Sequence, residues 1–139
     1  DKDQKETTFS IDRIQYFLEE YPNTPHKKEC ENMINDLRTK LAKKELESGR
    51  LYLRISEYSS ALIYFNLVLS DYYDTVYYDE AIINIVLTYI LKQDFASARV
   101  FFESYKENFS SKIKLSECES LIQEGKSSLT LKNRIKLLK

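Results

Sequence analysis

Few side chains in this sequence have types suited to chemistry: one histidine, two cysteines and several adjacent carboxylates. A histidine acts as a base or metal ligand only when a second group orients it or shares the metal. His26, the only histidine, follows Pro25 in a predicted loop, where no catalytic or metal role is expected. Cys30 and Cys118 are far apart, so neither a disulfide framework nor a zinc spacing is indicated. Both fall on predicted helices, where a buried thiol serves as a small apolar residue. The pairs Glu19-Glu20 and Asp79-Glu80 sit at predicted helix ends, where they are expected to be solvated or to interact with the helix dipole. Serines are frequent, but no G-x-S-x-G elbow is present, and two glycines cannot build a phosphate loop. The expectation is a protein without catalysis, metal or cofactor.

The elements that carry these residues are helical. The 139 residues include two glycines, two prolines and no tryptophan, which leaves few corners for a sheet protein. A formal charge of −1 supplies no field toward nucleic acid or an anionic membrane. Charge is uneven locally: Arg38 to Arg54 is basic, Asp71, Asp74, Asp79 and Glu80 form an acidic patch, and the residues after Lys126 are basic. Solvated helix faces account for these runs. No stretch approaches the ~18 apolar residues of a membrane span. The start, Asp1-Lys2-Asp3-Gln4-Lys5, has neither an initiating methionine nor a signal peptide. The reading is one helical domain over residues 1–139, taken from a longer chain.

A first helix is expected from about Phe9 to Glu20, with Ile11, Ile14, Phe17 and Leu18 on one stripe. Tyr21-Pro22-Asn23-Thr24-Pro25 ends it. The next pattern, about 26–55, is interrupted only by Gly49 and predicts a spine helix roughly 45 Å long. Ser56-Glu57 predicts a turn, with Ser56 as cap of a helix carrying Tyr58, Ala61, Leu62, Phe65, Val68 and Leu69. Ala81 to Leu91, apolar nearly all round, predicts a covered helix. Helices over Phe95–Asn108 and about Leu115–Lys126 follow. Residues 129–139 are expected to form a short amphipathic helix or a frayed basic tail.

Gly49, Tyr52, Ala61 and Phe65 have the spacing of the small, aromatic, small and aromatic positions of a tetratricopeptide (TPR) repeat. A shift of 37 gives Val86, Tyr89, Ala98 and Phe102, matching at three of four positions. The small residues let antiparallel helices approach, and the rings fill the adjoining grooves. Tyr21-Pro22 and Tyr72-Tyr73 occupy equivalent places 51 apart, and the excess of 14 residues is close to four helical turns. The fold class is therefore all-α: a TPR-like α-solenoid of antiparallel helix pairs with one long spine helix. Inward positions of its first helices, Leu46, Arg50 and Leu53, then Ile83, Leu87 and Ile90, predict an apolar strip with one arginine at its edge. Such a strip suits an extended segment or partner helix unless further helices cover it.

Tyr21-Pro22-Asn23-Thr24, the run Leu37-Arg38-Thr39-Lys40-Leu41-Ala42-Lys43-Lys44-Glu45, Tyr52, and Asp71-Tyr72-Tyr73-Asp74-Thr75 resemble, in order and spacing, BamD-type proteins. These are TPR lipoproteins of the bacterial outer-membrane β-barrel assembly machinery. The resemblance spans about residues 9–109 and looks like the carboxy-terminal half of such a protein. Tyr73 stands where the family usually has proline. The resemblance implies a site at the periplasmic face of the outer membrane and a lipid anchor upstream of this fragment. It implies, as partners, the POTRA-bearing barrel assembly subunit and accessory lipoproteins. A generic TPR adaptor and an accessory helical domain of a larger enzyme are the rival readings.

Overall fold

In the computed structural model, residues 2–125 are described, and they contain six α-helices and no strand. These are α1 (Lys2–Glu20), α2 (Lys27–Arg54), α3 (Tyr58–Asp71), α4 (Tyr78–Leu91), α5 (Phe95–Tyr105) and α6 (Lys112–Glu124), with a 3-10 turn at Lys106–Asn108. The expected basic tail, 129–139, lies outside the described residues. Helix α2 packs on α1 and α3, and α4 packs on α3, α5 and α6. The all-helical, TPR-like class is as expected.

Helix α1 begins well before Phe9. Thr7, Thr8 and Ser10 would weaken a helix if their hydroxyls competed for nearby amides. Instead each donates back to the carbonyl four residues earlier, on Asp3, Gln4 and Glu6. Thr7 and Ile11 are buried, and Gln4 donates to Glu45 of α2. Contact with the spine thus extends the helix beyond its apolar pattern.

Backbone turns repeat with the sequence period. Ser56 and Gln93, 37 residues apart, have φ of 63° and 64°. Their amides donate to Leu53 and Ile90, and the next amides, of Glu57 and Asp94, donate to Tyr52 and Tyr89 at 2.9 Å in both turns. Ser56 is consequently not the cap of α3. A left-handed residue makes the reversal, and Glu57 occupies the cap position without a side-chain bond, whereas Asp94 accepts from the Ser97 amide. At the opposite end, Thr24 donates to Tyr21 and Thr75 to Tyr72, both at 3.1 Å and 51 residues apart. Both offsets therefore hold in the backbone. The difference between them is contained in α2, which has 28 residues against 14 in α4.

Neither Ser56 nor Gln93 has the freedom of glycine at positive φ, which costs other residues roughly 1–2 kcal/mol. Ser56→Gly and Gln93→Gly are each expected to raise the unfolding free energy by about 0.5–1 kcal/mol, after the entropy that glycine costs. Urea denaturation followed by circular dichroism measures it, and lower stability in both variants would contradict the strain.

Candidate docking surfaces

The interior places limits on any surface. Ala61 and Phe65 are wholly buried, Ala98 and Phe102 nearly so, and Gly49 is buried opposite Phe65. A Cβ on Gly49 would lie 2.7 Å from Phe65 Cδ1 and still closer to Cε1. Val86, at the repeat-equivalent position, is also fully buried, so the second hairpin is built around a bulkier residue. Tyr52 stacks on Tyr64 at 5.4 Å, and their equivalents Tyr89 and Phe101 pair at 6.3 Å.

The six residues expected to line an apolar strip do not form an open groove. Leu46, Leu53, Leu87 and Ile90 are at most 4% exposed and belong to the core. Only Ile83 and Arg50 are partly exposed. Ile90 meets the end of α6, where a Cβ on Gly125 would lie 3.2 Å from it, and Leu46, Leu53 and Leu87 are enclosed in the core cluster to which α2 through α6 contribute. Arg50 donates to Glu80 at 2.9 Å, and Lys114 of α6 pairs with the same carboxylate. One glutamate thus joins three successive first helices.

Asp79 differs most from expectation. It is 4% exposed rather than solvated. Its two oxygens accept from the amides of Ser110 and Ser111 at 3.0 and 2.9 Å, directly before α6. Ser111 then caps α6 by accepting from the Lys114 amide. A carboxylate that accepts two backbone amides is a strong, local tie. Sequence gave no indication of it, because the partners are serine amides more than thirty residues away.

Residues from two of the quoted motifs meet at Arg38. Its guanidinium donates to the Asp71 carbonyl at 2.8 Å and to Asp74 Oδ1 at 2.7 Å, and lies 5.5 Å from the Tyr72 ring centre. Burial, then the Glu45 and Asp71 charges, raise the Tyr72 hydroxyl pKa. The acidic patch is therefore divided: Asp74 serves Arg38, Asp79 the α6 amides, and Glu80 Arg50 and Lys114.

Cys118 is fully buried, and its thiol is pushed up to about 12, mainly by burial. It is a packing residue rather than a nucleophile. Cys30 is half-buried, less enclosed than expected. His26 is exposed beside Glu29. Among the described residues no acidic, histidine or cysteine cluster suits a metal, and no helix is long and apolar enough to cross a membrane.

Exposed apolar side chains are spread over the surface, Val76, Val100 and Ile113 among them, and two sets are close together in sequence. Leu51 and Ile55, 51% and 60% exposed, lie four apart at the end of α2. Their repeat equivalents are buried Thr88 and charged Lys92, so the scaffold itself does not demand them. Phe9, Tyr16 and Tyr21 project from α1, with Phe17 partly exposed.

A stack of helical hairpins, closed by notches and carrying apolar surface at its rim, is a TPR-like repeat protein. Residues 1–99 match the outer membrane lipoprotein family (YfiO), and the chain belongs to it. No curated protein matches the sequence.

Two substitutions probe the scaffold. Gly49→Ala should cost about 1–3 kcal/mol, because the ring of Phe65 must move, although alanine is the better helix former. Asp79→Ala leaves two amides unpaired and should cost about 1–3 kcal/mol. Amide hydrogen exchange is expected to accelerate first at Ser110, Ser111 and the start of α6. Unchanged denaturation midpoints would refute both assignments.

Proposed function

We propose that this chain is a non-enzymatic docking scaffold of the outer-membrane β-barrel assembly machinery. It acts at the periplasmic face, as the carboxy-terminal half of a BamD-type lipoprotein. Its partners are the POTRA region of the barrel-forming subunit and accessory lipoproteins, and a lipid upstream supplies the membrane attachment. The family match over residues 1–99 carries this reading. The Arg38 junction adds to it: the two family-like stretches are parts of one contact, so their co-occurrence has a structural reason.

The partner-facing surface on this reading is the end of α2 at Leu51 and Ile55. The apolar strip first expected on α2 and α4 is too enclosed to receive a segment without opening the core. A generic TPR adaptor would need such a groove, and none of the six positions offers one. Glu80 contributes indirectly by fixing α2, α4 and α6 in one arrangement.

Co-purification of the full-length lipoprotein from membranes tests the reading. The POTRA-bearing subunit is expected in the eluate, and Leu51→Glu with Ile55→Glu should reduce its recovery by about tenfold or more, as for a disrupted apolar anchor. Helicity should be unchanged, since both side chains are exposed. Absence of the subunit when the membrane complex is intact would reject the assembly role. Full recovery with the double variant would reject this surface alone.

A further inference from the structure

We infer that the turn between α1 and α2 is a seat for an arginine side chain, supplied by residues that precede Asp1 in the longer protein. The source of the arginine rests on the reading of this chain as the later half of a lipoprotein. The seat itself rests on geometry within the chain.

The turns entering α2 and α4, 51 residues apart, share one hydrogen-bond pattern. The amides of Tyr21 and Tyr72 donate to Phe17 and Val68 at 2.9 and 3.0 Å. Those of Thr24 and Thr75 donate to Tyr21 and Tyr72 at 3.1 Å, and those of Lys27 and Tyr78 to Thr24 and Thr75 at 3.3 Å. In the second turn this frame holds a guanidinium. Arg38 donates to the carbonyl of Asp71, the last residue of α3, and to Asp74 Oδ1, and it lies against the ring of Tyr72. The corresponding groups of the first turn are the carbonyl of Glu20, the last residue of α1, the side chain of Asn23 and the ring of Tyr21. Two oxygen acceptors beside an aromatic face suit the planar, forked donors of arginine better than the compact ammonium of lysine. Phe17 steadies the Tyr21 ring, with centroids 5.3 Å apart. A concavity of roughly 490 Å³ lies here, bounded by Phe17, Glu20, Tyr21, Asn23 and Pro25 among others.

The repeat itself points to the source. Arg38 of α2 ties the turn that enters α4, and Asp79 of α4 ties the amides before α6. In both cases a charged side chain of one first helix holds the turn into the next. For the turn into α2 that side chain would come from an earlier helix, because the place 51 residues before Arg38 falls ahead of Asp1. Asn23 stands where the second turn has Asp74, so the first seat offers no carboxylate at that place and holds its arginine less tightly.

Photo-crosslinking tests the seat and the source. With benzoylphenylalanine in place of Tyr21, the full-length lipoprotein in membranes is expected to link to its own residues ahead of Asp1, within about one helical turn of an arginine. In the purified lipoprotein, alanine at that arginine and Asn23→Ala should each destabilise the fold. Combined, they should depart from independent effects by about fivefold or more in the unfolding constant, as groups in direct contact do. Asn23→Asp should stabilise the protein that carries the arginine and not the one that carries alanine there. A link to another protein would overturn the source. A link confined to α1 and α2, a link with no arginine nearby, or independent effects of the two substitutions would overturn the seat. These measurements do not involve the POTRA-bearing subunit, so their failure is distinguishable from failure of the docking role.

Discussion

A single close approach governs this structure: the ring of Phe65 lies where a side chain on Gly49 would otherwise be. That approach sets the distance between α2 and α3, and with it the register in which α4 can pack on α3. Apolar burial contributes about 25 cal/mol per Å², but only where surfaces meet without gaps. A glycine inside a helix is locally unfavourable. It is tolerated because the space it leaves is filled by an aromatic side chain with no exposed surface. The next hairpin buries Val86, Ala98 and Phe102 at the equivalent places, so the repeat also closes without a glycine there.

Charge then orients what packing brings together. Glu80 lies between Arg50 and Lys114, Asp79 holds the amides before α6, and Arg38 closes the segment from Asp71 to Asp74. None of these ties spans more than neighbouring layers, as expected for a repeat stack in which each unit contacts only those beside it. They are partly or wholly shielded from water, and an unpaired member would carry a desolvation cost. This explains why a chain with near-zero net charge still places acidic and basic runs in blocks.

The fold was legible from sequence because its signals are periodic. Ala61 and Ala98, Tyr52 and Tyr89, and the turns at residues 56 and 93 all follow one offset, and the spine helix follows from an unbroken pattern. The surface was less legible. Leu46, Leu53, Leu87 and Ile90 were expected on a strip open to a partner unless further helices covered it; they lie in the core, because their enclosure comes from helices distant in sequence. Asp79 looked like an ordinary first-turn carboxylate because its acceptor role depends on a distant pair of amides. Ser56 resembled a cap by residue type, while its backbone was committed to the reversal. In each case local identity was clear and long-range environment was not.

The length of α2 has a mechanical consequence. Between Lys27 and Lys40 no residue of this helix is fully buried, and the extra 14 residues relative to α4 correspond to about 21 Å. That portion is a cantilever, braced along one side by α1 and anchored at its far end in the hairpin stack. The outer half of α2 is thus held by α1 and by the Arg38 contacts rather than by burying its own side chains, so its position depends on those braces more than on the notched core.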